Sequence, residues 1–178
     1  MNNLKPIIFL VPVIALILTG ILYFSFLKKA TDKNAFNKFV IIIIVLSFLL
    51  NFAWELIQIP LYKDSFYSIG HIAFCALASL ADAIMVLLLY FGFAVIFRNL
   101  FWIEHQKWNR IVMVILIGGT GAVLAEIRHL SIGTWAYSGS MPIIPVINVG
   151  ISPVLQFMVL PLLIYFLSFY YLKKFEKN

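Results

Sequence analysis

The hydrophobic pattern of this chain consists of five long apolar runs separated by short polar connections. A helix needs about 20 predominantly apolar residues to cross the hydrocarbon core of a bilayer. The pattern therefore predicts an all-α fold, a polytopic membrane helix bundle in which residues 1–178 form a single domain. The five predicted transmembrane helices span approximately residues 7–27, 39–58, 69–97, 111–130 and 150–172.

Polar residues near the end of the second run recur at helical spacing. Four of them share one face of the predicted helix: Asn51, Glu55, Gln58 and Tyr62. A carboxylate that faces lipid at the centre of a membrane costs about 3 kcal/mol, so intramembrane carboxylates usually face other helices or a water-filled cavity. Glu55 is therefore expected to point into the bundle.

The next three runs also carry polar residues. In the third run, His71 and Asp82 fall on one face, and Asp82 is expected roughly 15–20 Å from the helix start. Glu126 and His129 lie near the end of the fourth run, and Gln156 lies near the start of the fifth. In an alternating bundle these positions all fall in the same half of the membrane. The sequence therefore predicts one polar pocket.

The distribution of positive charge predicts which side this pocket faces. Only 11% of residues are charged, against about 25% in a soluble domain. Lysine and arginine concentrate in the first and third connections and in the C-terminal tail. The positive-inside rule then predicts an N-terminus outside, a C-terminus inside and an outward-facing pocket. This pattern of membrane orientation excludes a nucleic-acid partner.

The polar residues suggest acid–base chemistry. Glu55 or Glu126 is the candidate general acid, His71 or His129 the candidate proton partner, and Asp82 a candidate for orienting groups or stabilising charge. The candidate substrate-binding residues are Asn51, Gln58, Tyr62, Trp135, Tyr137 and Gln156.

A metal site is the weaker interpretation. Glu126 and His129 have the Glu-x-x-His spacing of di-iron bundle proteins, but the chain has no second copy of that motif. A single cysteine, Cys75, rules out an internal disulfide and a cysteine-based zinc cluster. We therefore predict no metal ligands, and the sequence does not identify a cofactor.

The segment 131–148 is uncharged but interrupted by glycine and proline, which disfavours a helix. Because it is rich in large apolar side chains, it is expected to fold over the outer mouth as a lid or shallow re-entrant segment. Trp135 and Tyr137 would then lie at the headgroup level. An interfacial anchor alone is the alternative.

The chain resembles a group of small, uncharacterised bacterial inner-membrane proteins. The resemblance is carried by the motifs WExxQxPLY, which begins at Trp54, and WxYxxxMPxxP, which begins at Trp135. It implies a multi-pass protein of the bacterial cytoplasmic membrane, but no activity. The stretch from Asn51 to Glu55 is also similar to the NxxWE stretch of integral-membrane terpene cyclases. That likeness implies that Glu55 protonates an isoprenoid.

Three functions remain open. The first is an enzyme that acts on a lipid or isoprenoid substrate drawn from the surrounding membrane lipids. The second is a small transporter or proton-coupled carrier, and the third is a structural or assembly protein in which, for example, Glu55 pairs with Arg128. The sequence does not determine the oligomeric state.

Overall fold

The computed structural model describes residues 9–104 and 107–176. Within these residues, five helices are long and apolar enough to cross a membrane, which confirms the predicted all-α, multi-pass class. The helices are α1 (Leu10–Lys29), α2 (Lys33–Gln58), α3 (Ile69–Phe97), α4 (Trp108–Ser131) and α5 (Ile151–Glu176). A short hairpin of β1 (Ile143–Ile144) and β2 (Val149–Gly150) precedes α5.

The helices α2 and α4 begin earlier than their apolar runs. The Asp32 side chain caps α2 by accepting a hydrogen bond of 2.9 Å from the backbone N–H of Ala35. The polar residues that follow form the first turns of the helix. Hydropathy marks where a helix enters lipid, whereas capping marks where the helix starts. Residues 7 and 8 of the first predicted helix lie outside the described residues.

The bundle is built around α2, which packs against α3 and α5, while α4 packs against α5 and α1 packs against α3. An aromatic core fills the end of the bundle where α2 begins and α5 ends. Its fully buried members are Phe36, Phe39, Tyr90, Phe91, Phe93, Trp102 and Tyr165. Their polar atoms are satisfied internally; Tyr165 donates to the carbonyl of Val86 at 2.7 Å, for example. This end of the bundle is therefore a packed, apolar layer.

The α4–α5 contact depends on small residues, as the glycines of the fourth run suggest. A Cβ atom on Gly118 would overlap the backbone oxygen of Phe157, and one on Gly119 would lie 2.9 Å from Cγ of Met158. A Cβ atom on Gly121 would meet nothing within 4 Å. The close approach therefore depends on Gly118 and Gly119 but not on Gly121.

The G118A substitution is expected to destabilise the protein by about 1–3 kcal/mol, because α5 must move away from the added methyl group. The matched substitution G121A is expected to be neutral or to stabilise the helix by up to about 1 kcal/mol. Thermal unfolding of the purified protein in detergent compares the two variants. Equal stability of G118A and G121A would contradict the packing described here.

The segment 132–150 between α4 and α5, the covering segment, is fixed to the turn that ends α2. The backbone N–H of Lys63 donates to the carbonyl of Ala136 at 2.8 Å, and that of Ser138 donates to the carbonyl of Leu61 at 2.9 Å. Tyr62 and Tyr137 face each other in an isolated antiparallel bridge. The segment therefore lies across the end of the bundle opposite the aromatic core.

Candidate functional site

A cavity of about 340 Å³ lies at the end of the bundle opposite the aromatic core. It is bounded by the end of α2, the first half of α3, the end of α4 and the start of α5, and Pro12 of α1, Tyr62 and Trp135 also line it. Three carboxylates from three of these helices line it: Glu55, Asp82 and Glu126. Both candidate histidines, His71 and His129, line it as well.

The amide of Gln156 lies at the centre of the polar wall. Its side chain is only 2% exposed. Its Nε2 atom lies 2.9 Å from Oδ1 of Asn51, 3.1 Å from Oδ2 of Asp82 and 3.4 Å from Oε1 of Glu55. One amide group on α5 thus donates hydrogen bonds to acceptors on α2 and α3. Gln156 therefore fixes the spacing of two carboxylates that are distant in sequence.

A second amide extends this network. Nε2 of Gln58 donates to Oε1 of Glu55 at 2.9 Å and lies 3.4 Å from Oε1 of Gln156. The hydroxyl of Ser152 donates to Oε1 of Gln58 at 3.1 Å. The Glu55 carboxylate is therefore held on one oxygen by two neutral amides, and it is only partly buried because it faces the cavity.

Glu126 has a separate set of partners. It is 6% exposed, and its Oε2 atom accepts hydrogen bonds from Nε1 of Trp135, at 3.2 Å, and from the hydroxyl of Tyr137. The Tyr137 oxygen also accepts a hydrogen bond of 2.9 Å from the backbone N–H of Gly150. Burial, together with the hydrogen bond to Glu126, raises the pKa of Tyr137 above its ordinary value. The phenol thus stays protonated and remains a donor at neutral pH.

The two histidines line the cavity and have different partners. The ring of His129 stacks on Trp135, with a centroid distance of 4.2 Å, and its Nδ1 atom shares a hydrogen bond of 3.3 Å with Thr134. Nδ1 of His71 shares a hydrogen bond of 3.0 Å with the hydroxyl of Ser68, the N-cap of α3. His129 therefore contacts the covering segment through Trp135 and Thr134, whereas His71 is bonded to the N-cap of α3.

The remaining wall is apolar and reaches the outer surface of the bundle. It is lined by four alanines and two phenylalanines: Ala78 and Ala81 of α3, Ala122 and Ala125 of α4, Phe74 and Phe157. Leu77 and Leu80, which also line it, are 41% and 51% exposed on the outer face of α3. The cavity thus joins a polar end to an opening on the apolar side of the protein.

Not every predicted residue contacts the cavity. Asn51 and Tyr137 lie behind its lining, where each supports a lining side chain, Gln156 and Glu126 respectively. Tyr62 does line the cavity, although α2 ends at Gln58, so a short 3₁₀ turn rather than the helix places it there. Burial raises the pKa of Tyr62, so this phenol also stays neutral.

Sequence reasoning missed Ser152, which donates to Gln58. Cys75 is buried and also lines the cavity. The spacing of Ser152 and Gln156, i and i+4 on α5, is the signal that would have found the serine. Within residues 9–104 and 107–176, no three histidine, cysteine, aspartate or glutamate side chains are grouped to hold a metal ion.

The fold places this chain in the class of multi-pass helical membrane proteins, with a cavity that is polar at one end and apolar at the other. Comparisons with protein-family models, curated proteins and solved structures find no match for it.

Proposed function

We propose that this protein is an enzyme of the bacterial cytoplasmic membrane that carries out acid–base chemistry on a lipid or isoprenoid substrate. The observation that carries the proposal is the convergence of Glu55, Asp82 and Glu126, from three helices, on one cavity whose remaining wall is apolar. Ligand cavities of about 300–1,000 Å³ with a few convergent polar groups are typical of small-molecule sites. The reacting end of a substrate fits within 340 Å³, and its hydrocarbon tail extends through the apolar opening.

Among the carboxylates, Glu55 is the proposed general acid. Its carboxylate faces the cavity and its hydrogen bonds come from amides, whereas Glu126 is buried under Trp135 and Tyr137. Asp82 shares the amide of Gln156 with Glu55, so it is placed to stabilise positive charge that develops when the substrate accepts a proton. His71 and His129, which also line the cavity, are the candidates for returning protons to Glu55.

The proposed orientation places the cavity on the non-cytoplasmic side. The lysines of the α1–α2 connection and those at the end of α5 lie at the aromatic end of the bundle, where Lys173 pairs with Glu104 at 3.4 Å. The positive-inside rule assigns that end to the cytoplasm. A cytoplasm-dependent reporter fused to the C-terminus is expected to be active, and an inactive fusion would reverse the orientation.

The aromatic core favours an enzyme over a carrier. A carrier requires a polar route through both halves of the membrane, whereas the described residues of the inward half pack into an apolar layer. An assembly protein would need no cavity, since its polar groups would only hold helices together. The cavity therefore favours the enzyme.

Mass spectrometry of copurifying lipids tests the proposal. The wild type is expected to retain a characteristic lipid species, and E55Q to accumulate the unreacted substrate and lose the product. E104Q, which changes a glutamate at the opposite end of the bundle, serves as the control. A lipid pattern that is identical in wild type and E55Q would refute the assignment of Glu55 and the enzymatic function with it.

A further inference from the structure

The charges around the cavity restrict the class of ligand that it accepts. Three carboxylates line it, but no lysine or arginine is found among the described lining residues. Phosphate and carboxylate groups are normally bound in proteins by lysine, arginine, helix N-termini or metal ions. The starts of α3 and α5 border the cavity, but the backbone N–H of His71 already donates to the Ser68 hydroxyl at 3.3 Å, and that of Ile151 donates to the carbonyl of Pro142 at 2.8 Å. An anionic headgroup would therefore meet three carboxyl groups and no lysine or arginine among the described lining residues. Phosphorylated lipids and isoprenoid diphosphates are therefore poor ligands for this cavity.

The aromatic side chains of the cavity also favour a positively charged ligand. The indole of Trp135 and the rings of Tyr62, Phe74 and Phe157 line the cavity together with the carboxylates. The faces of such rings attract cations, most strongly when the cation is desolvated. Carboxyl groups and aromatic rings in the same lining therefore both favour a positively charged group.

We infer that the cavity binds a cationic amphiphile, a positively charged headgroup on a hydrocarbon chain, with the cation between Glu55 and Asp82. The shared donor Gln156 holds these two carboxylates together at the polar end. The chain runs along the alanines of α3 and α4 to the opening beside Leu80. This inference rests on the proposed function only in placing the substrate in the same cavity, because it concerns binding and requires no turnover.

Three probes with the same chain test the inference: dodecyltrimethylammonium, dodecanol and dodecyl phosphate. Cys75 is the only cysteine of the chain and lines the cavity, so its alkylation by N-ethylmaleimide reports occupancy in the purified protein in an uncharged maltoside detergent. The ammonium probe is expected to slow alkylation at a concentration at least about tenfold lower than dodecanol, and dodecyl phosphate is expected to give no protection. The shift in apparent Tm that each probe causes gives an independent ranking.

Matched variants separate a specific site from general attraction to a detergent micelle. The double variant E55Q/D82N is expected to weaken protection by the ammonium probe at least about tenfold and to leave that by dodecanol unchanged. E104Q is expected to behave as the wild type in both respects. Equal affinity for the ammonium and the alcohol, protection by dodecyl phosphate, or full ammonium affinity in E55Q/D82N would each overturn the inference. None of these results would alter the comparison of lipids between wild type and E55Q.

Discussion

Replacing Gln156 with leucine is expected to lower the free energy of unfolding by about 3 kcal/mol and to abolish retention of the copurifying lipid. Leucine has a similar volume but cannot donate a hydrogen bond. The Nε2 atom of Gln156 lies within hydrogen-bond distance of Asn51, Glu55 and Asp82, so its loss leaves acceptors on two helices without their donor. A buried acceptor without a partner costs about 1–3 kcal/mol, and a charged acceptor costs more.

The control for this substitution lies on the same helix. The Ser168 hydroxyl is also buried, but it has no hydrogen-bond partner among the described residues. S168A therefore removes a polar group without orphaning an acceptor and is expected to change stability by no more than about 0.5 kcal/mol. Thermal unfolding in detergent compares both variants with the wild type. If Q156L unfolds at the wild-type temperature, the amide does not hold the carboxylates together.

A double substitution separates the network from simple loss of packing. Replacing both partners of a buried hydrogen bond with apolar groups can be nearly neutral, whereas replacing one is costly. Q156L/D82L is therefore expected to lose less stability than the sum of Q156L and D82L. Strict additivity of the two substitutions would mean that Gln156 and Asp82 act independently.

Hydrophobic run length was sufficient to predict the number of helices and their approximate bounds. Each apolar run must be buried in a bilayer or in a protein core, whatever segments flank it. A helix can therefore be predicted from the run alone. The start of α2 escaped prediction because the cap at Asp32 lies outside the apolar run. Helical spacing was also enough to place Glu55 and Asp82 on inward faces, and both line the cavity.

The partners of the polar groups could not be predicted, because they are set by tertiary packing. Nothing in the sequence near Gln156 indicates that one amide would serve both Glu55 and Asp82. Trp135 and Tyr137 were expected at the headgroup level, since amphipathic rings favour that depth. That depth stays a prediction. Their N–H and O–H groups donate to Glu126, which could not be predicted because a buried carboxylate needs donors and tertiary packing decides that the covering segment supplies them.

Closing the apolar opening is expected to have the largest effect on ligand occupancy. The covering segment is bonded to the end of α2 through Lys63 and Ser138, so the aqueous end of the cavity is covered. If the ligand is dissolved in the membrane, as proposed, it is expected to enter from the apolar side, past the alanines of α3. Ala78 lies one turn from both Cys75 and Asp82 and lines the cavity. In A78W the indole occupies the space that a hydrocarbon chain would fill, and retention of the copurifying lipid is expected to fall more than about tenfold, or about 1.4 kcal/mol.

Position 73 offers a matched control on the same helix. Ala73 is exposed and does not line the cavity, so A73W adds the same bulk to the outer face of α3 without entering the site. Mass spectrometry of the bound lipid and the rate of Cys75 alkylation then compare A78W with A73W at equal protein stability. Equal lipid retention in the two variants would show that the ligand does not pass along α3. Loss of retention in A78W alone means that the bound hydrocarbon chain occupies the space beside Ala78, because A73W adds the same bulk to α3 outside the cavity.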